Sequence, residues 1–205
     1  MEVLVVAIVV VFVLIMGFKA VAGYGSYKGS LYQRLFGSYL EYFWRMSMKE
    51  DLSESSLLKE RIGAHRIVYN AYRDSQGRIA ATFATIFSTR GHAAICMVAT
   101  AGAIAGKDTG SWTVERDGKK LALASPVTYV RRQKKLLDSF LKNAPVEYII
   151  AFNEGADVSA VDCSCTVLTI DKVVEHLEQM PAGTATEAEV LRAFNTFKEM
   201  AVNAG

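Results

Sequence analysis

The stretch IAATFATIFSTRGHAAICMVAT, residues 79–100, decides the fold. Two apolar, β-rich runs, Ile79 to Ser88 and His92 to Thr100, flank the short gap Thr89-Arg90-Gly91. Two such runs so closely joined predict a β-hairpin. Downstream, Ala101-Gly-Ala-Ile-Ala-Gly106 continues toward Ser111-Trp112-Thr-Val-Glu115, and Asp117-Gly118 is a turn signal before Lys120–Leu123. Pro126 opens a helix, VTYVRRQKKLLDSFLKN, expected to run to about Asn143. VEYIIAF (146–152) and TVLTI (166–170) read as buried-type strands, and Asp171 is expected to cap the short helix DKVVEHLEQM.

Upstream of the hairpin, Leu57 to Asp74 reads as one helix, with Leu58, Ile62, His65 and Tyr69 near one face and Ser75-Gln76-Gly77 ending it. The order is then one helix, three or more strands, a helix, two strands and a helix. With short connections, that order predicts an α/β sheet with helices on its faces. A last helix is expected from the capping-box sequence Thr184-Ala-Thr-Glu187, with Val190, Phe194, Phe197 and Ala201 on one stripe.

The other deciding segment is VLVVAIVVVFVLIMGF, Val3 to Phe18, followed by Lys19 and AVAG. A spanning helix needs about 20 apolar residues, and Lys19 can snorkel to the headgroups, so Val3 to about Gly23 makes one span. A cleavable signal peptide competes, because Ala20-Val21-Ala22 resembles a cleavage site. Against it, Met1-Glu2 supplies no basic n-region. No Lys or Arg precedes the span, whereas Lys19, Lys28, Arg34, Arg45 and Lys49 follow it. The positive-inside rule then places the N-terminus outside the plasma membrane and the following domain in the cytoplasm. The next residues are crowded with aromatics, and Lys19, Tyr32, Phe36, Tyr39, Phe43 and Trp44 are candidates for a membrane-interface or partner surface. Packing on the chain's own domain is the alternative. Ser53-Glu-Ser-Ser56 reads as a linker, giving an anchor (1–23), an aromatic neck (24–55), an α/β domain (56–180) and a C-terminal amphipathic helix (181–205).

Composition narrows the function classes. A net charge of +2 in 205 residues speaks against a dedicated, strongly electrostatic nucleic-acid binder. Cys96, Cys163 and Cys165 are odd in number and do not form a secreted disulfide framework; reduced cytosolic thiols are expected. His65, His92 and His176 show no ligand spacing with them. Gly102-x-x-x-Gly106 lacks the Lys-Ser/Thr of a phosphate loop, and nothing calls for a small-molecule cofactor. The run Arg131, Arg132, Lys134, Lys135 is a candidate phosphate contact, weighed against a solvated helix face.

From about Arg61 to Met180 several local signatures occur in an order that resembles the NERD (nuclease-related domain) family. They are Ile62-Gly63-Ala64, the Arg90-Gly91 hairpin, Ala101–Gly106 with Trp112, Ser125-Pro126 before the long helix, and VEYIIAF. The resemblance implies a restriction-endonuclease-like α-β-β-β-α-β core. Members often carry an N-terminal membrane segment as well. It also implies where a metal site would fall: an aspartate on the first hairpin strand and a Glu-x-Lys pair on the second. These positions hold Phe83, Cys96 and Val98, and residues 81–106 contain no acid. Mg²⁺ would lack its hard oxygen ligands there. The family's glutamate after the helix glycine is Ala64, and its glutamine after the proline falls at Tyr129. A relocated site could draw on Asp108, Glu115, Asp117, Glu154, Asp157 or Asp162.

The expected function is therefore a membrane-anchored, non-catalytic module that binds a protein partner or a second copy of itself, or serves as an accessory subunit of a membrane complex. The alternative is a divergent, Mg²⁺-dependent nuclease or nucleic-acid-binding protein tethered to the membrane.

Overall fold

In a computed structural model, which describes residues 2–49, 51–141 and 144–203, the chain is a mixed α/β protein with two sheets and a long N-terminal helix. Helix α1 (Glu2–Tyr27) is followed by α2 (Leu31–Phe36) and α3 (Tyr39–Trp44), which continues as a π-helical turn (Arg45–Lys49). Helix α4 (Ser56–Ile62) leads into β1 (His65–Arg73), β2 (Ile79–Ser88) and β3 (Gly91–Val98). Then come β4 (Gly102–Lys107), β5 (Trp112–Arg116), β6 (Lys119–Leu123) and α5 (Pro126–Asp138). Strands β7 (Val146–Phe152), β8 (Ala156–Asp162) and β9 (Thr166–Thr169) precede α6 (Val173–Gln179) and α7 (Glu187–Asn203).

The expected hairpin is β2–β3, antiparallel and closed by Ser88 opposite Gly91. It sits at the centre of a five-stranded sheet ordered β1-β2-β3-β7-β9, in which β7 runs parallel to β3 and β9 parallel to β7. The second sheet, β6-β5-β4-β8, lies between β3 and α5 in sequence and borrows β8 as a parallel neighbour of β4. Gly106 lets the sheet fold onto its own indole: a Cβ there would lie 2.1 Å from the Trp112 ring.

One expected element is wrong. Residues 57–74 are not one helix; α4 stops at Ile62 and His65–Arg73 is a strand. Gly63 is the cause. It adopts φ +83°, where a side chain is strained, and its N–H closes on the Lys59 carbonyl. Beyond it, Ile67 and Tyr69 face one side of the sheet while Val68, Asn70 and Tyr72 face the other, the two-residue period of a strand. Other boundaries shift slightly. α5 ends at Asp138, and Asn143 lies outside the described residues. Lys172, not Asp171, precedes α6 after a 3₁₀ turn. The capping box is Thr186–Glu189, two residues beyond the expected one, with reciprocal bonds from Thr186 N (2.7 Å) and Glu189 N (3.3 Å).

The central sheet is covered on both faces. One face carries Ile67, Ala84, Ile86, Ile95 and Ile149 under α2, α3, α4 and α6. The other meets the second sheet and α5 through Phe83, Cys96, Ile104, Trp112 and Val130. It also meets α7 through Phe87, Val190, Phe194 and Phe197; the side chain of Ala201 lies outside the described residues.

The neck is not a linker. Tyr27, Leu31, Leu35, Phe36 and Tyr42 belong to the core cluster on the first face. Ser55, in the expected linker, is buried. It donates its hydroxyl to the Leu35 carbonyl and accepts from Leu58 N (3.1 Å) as the cap of α4. Among the expected interface residues, Phe36 and Phe43 are buried and Tyr32 and Tyr39 half-buried against the chain itself, so only Lys19 and Trp44 remain exposed. The rings pack on one another at a tilt, Tyr32 against Tyr42 and Tyr69, because burying the aromatics together removes their apolar faces from water.

Helix α1 has 26 residues, a mean hydropathy of 2.9 over its best window, and no buried residue in that window. At 1.5 Å per residue it is about 39 Å long, enough to cross about 30 Å of hydrocarbon.

Candidate functional site

The hairpin positions singled out by the family resemblance come together in the fold. Phe83 on β2 pairs directly with Cys96 on β3, and Cys96 pairs with Ile150 on β7. Phe83 and Cys96 are fully buried, and Val98 is half-buried beside them. Tyr72 stands edge-on to Phe83 at 5.6 Å, and Trp112 stacks on Phe152 at 6.2 Å to close the cluster from the second sheet. Burial pushes the Cys96 thiol up to about 12, with Cys165 nearby adding to the shift. A buried thiol in that state is uncharged at neutral pH and a poor nucleophile. Three side chains suited to packing occupy these positions.

Two clefts flank this cluster and share Thr82, Met97, Val98 and Ala99. The larger, about 440 Å³, opens between the sheet and the start of α2, where Tyr32 and Tyr69 form one wall. The smaller, about 340 Å³, lies over Cys96 between Ile79, Leu123 and Tyr129. Among the described residues neither is lined by a charged side chain. Such walls suit apolar groups or a partner's side chains better than phosphate.

The polar centre of the region is Gln133, which sequence reasoning did not single out. Its amide is fully buried on α5. Oε1 accepts from Tyr72 Oη (2.8 Å) and Asn70 Nδ2 (3.1 Å), while Nε2 donates to Thr85 Oγ1 (2.9 Å) and Asn70 Oδ1 (3.3 Å). The signal was present: Val127, Val130 and Leu137 mark the buried stripe of this helix, and Gln133 falls on the same face.

The remaining candidates are dispersed. Arg131, Arg132, Lys134 and Lys135 are all exposed on α5. Arg131 donates to the Asp108 carbonyl (3.1 Å), and Lys134 pairs with Asp138 (3.0 Å) and lies 5.3 Å over the Tyr148 ring. Four of the six acids considered for a relocated site are engaged separately. Both Asp108 carboxylate oxygens accept from Ser164, Asp157 accepts from Ser159 N, Glu154 meets Arg34, and Asp162 reaches Lys107 at 3.9 Å. Among the described residues no group of three His, Cys, Asp or Glu side chains is arranged to hold a metal ion.

Two histidines are buried. His65 Nε2 accepts from Ser55 N (3.1 Å) and its Nδ1 donates to the Gly63 carbonyl (3.0 Å), an arrangement only the neutral ring can make. Burial lowers its pKa, Gly63 opposes this, and Arg45 and Lys59 lower it further. His92 packs edge-on against Phe87 at 5.3 Å with no well-formed hydrogen bond to Nδ1, and burial lowers its pKa too.

Fold and site together define a mixed α/β protein with a long apolar N-terminal helix and an uncharged, closed position at the centre of its main sheet. No family model, no curated protein and no solved structure matches the chain.

Proposed function

We propose that the chain is a membrane-anchored, non-catalytic α/β module of restriction-endonuclease-like build, related to the NERD family, that acts by holding a protein partner at the membrane. With the second-sheet strands β4–β6 set aside as an insertion between β3 and α5, the elements α4, β1, β2, β3, α5, β7 follow the α-β-β-β-α-β order the family implies, which supports the resemblance. The observation that carries the functional reading is the buried Phe83–Cys96 pair, where the family's metal ligands would stand. A buried phenyl ring and a neutral thiol can neither bind a hard cation nor activate water, so that position can contribute packing and shape but no hydrolysis.

The anchor reading is supported by how α1 ends. Tyr39 donates its hydroxyl to the Ala20 carbonyl, and Tyr24 meets Tyr39 edge-on at 5.1 Å, so the last turns of α1 are tied to the domain. Cleavage after Ala22 would sever that contact. Lys19, Lys28, Arg34 and Arg45 after the span favour a cytoplasmic domain and an outside N-terminus.

The test is nuclease activity of the full chain, purified in detergent, on single- and double-stranded DNA and RNA with Mg²⁺ or Mn²⁺. The expected result is no cleavage above a mock preparation. Metal-dependent cleavage that disappears in a Glu154→Ala, Asp162→Ala variant would instead make the protein a nuclease with a relocated site and sink the binding-module reading.

A further inference from the structure

Leu40, Trp44 and Met48 stand four residues apart on the continuous helix formed by α3 and its π-helical turn, and they are 72%, 50% and 45% exposed. Three large apolar side chains in one row on a short helix form a patch that water alone does not favour. The other side of the same helix is occupied. Tyr42 and Phe43 are buried, Tyr39 donates to the Ala20 carbonyl, and the Met46 methyl lies 3.7 Å from where a Cβ on Gly23 would be. The helix therefore crosses α1 between Ala20 and Gly23.

That crossing point fixes a depth. A span from Val3 to about Gly23 covers about 30 Å of hydrocarbon, so Ala20 to Gly23 lie at its edge, where the headgroups begin. The headgroup layer on each side of the hydrocarbon is about 5–8 Å thick. A surface flanking α1 at this level meets headgroups and upper acyl chains without any further association. Exposed Lys19 and Lys28 bracket the same level and suit lipid phosphates.

We propose that α3 and its π-helical turn lie in the headgroup layer beside α1, with Leu40, Trp44 and Met48 inserted among the upper acyl chains. This rests on α1 being a retained membrane span. The contact gives the module a second attachment that fixes the tilt of its domain against the bilayer. Of the expected interface residues in the neck it keeps Trp44, and it puts Leu40 and Met48 in place of the buried Phe36 and Phe43.

Trp44 reports on this directly, because the protein's other tryptophan, Trp112, is fully buried. The full chain is reconstituted into phosphatidylcholine–phosphatidylglycerol vesicles, and the emission of a Trp44→Phe variant is subtracted from that of the wild type. Lipids brominated near the top of the acyl chain are expected to quench most of the Trp44 signal, and aqueous acrylamide little of it. A Leu40→Ser, Met48→Ser variant is expected to shift that signal to the red and restore acrylamide quenching while Trp112 emission stays unchanged. Quenching by acrylamide but not bromolipid, in a chain that resists carbonate extraction, would put the row in water and overturn the proposal alone. Protection from both quenchers would mean that another protein surface covers the row, which overturns it equally. Release of the chain by carbonate would overturn the membrane span itself.

Discussion

At the scale of single residues, the chemistry of the central position was legible and its support was not. Phe83, Cys96 and Val98 are apolar in the sequence, and the register places Phe83 against Cys96, so reading side-chain types along a hairpin was enough. Gln133 sits among Arg131, Arg132, Lys134 and Lys135, where a polar residue draws no notice, yet it is the residue of that run that turns inward. Its four hydrogen bonds join α5 to β1 and β2, and truncating it strands Asn70, Tyr72 and Thr85. An unsatisfied buried polar group costs about 1–3 kcal/mol, so Gln133→Leu should lower stability by about 2–4 kcal/mol in urea titrations. Asn70→Leu added to it should cost less than the two single changes summed, because both remove the same bonds. A Gln133→Leu protein within about 0.5 kcal/mol of wild type would show that the network contributes little.

At the scale of elements, strands β2, β3 and β7 were legible because each is a bounded apolar run, and α5 and α7 because Pro126 and a helical stripe announce them. The misreading of residues 57–74 came from following Leu58, Ile62, His65 and Tyr69 at helical spacing across Gly63. A glycine at positive φ ends a helix whatever follows it. The joint so formed is held by His65, at the start of β1, which accepts the Ser55 N–H at the start of α4. The charges of Arg45, Lys59 and Glu41 act on this ring, and Arg66, paired with Glu54, donates to the His65 carbonyl (3.0 Å). Because the folded ring titrates below the ordinary 6.5, the unfolded chain binds a proton between 6.5 and the lowered value that the folded chain does not. Stability is thus fully present above pH 6.5 and falls as the pH drops below it. His92 adds a slope of the same sign. The denaturation midpoint should therefore fall with acidification less steeply in His65→Asn than in wild type; equal slopes would mean that the joint does not sense protons.

At the scale of the whole molecule, composition separated the apolar helix from the rest but could not show that the neck belongs to the core. Aromatic residues beside a membrane span look alike in sequence whether they face lipid or their own sheet. Only the β-sheet face presented by Ile67, Ile86 and Ile95 decides, and that face assembles from strands remote in the chain. The consequence is a firm expectation about where the chain can be cut. Leu31, Leu35, Phe36 and Tyr42 cover this face, and burying a large apolar side chain contributes about 1.5–3 kcal/mol, so the four supply roughly 6–12 kcal/mol of burial. Part of that is offset by the entropy of ordering the neck, which a shorter chain is spared. The remainder is still a large fraction of the roughly 5–15 kcal/mol that holds a domain folded. A chain beginning at Leu57 also leaves Ile62, Ile67 and Ile95 open to solvent. It should self-associate in size-exclusion chromatography and melt well below a chain beginning at Tyr24, which keeps the neck and should unfold in one cooperative transition. If the chain from Leu57 proved monomeric and equally stable, the neck would be a passenger on the domain, and the coupling of the domain to α1 through it would be lost as well.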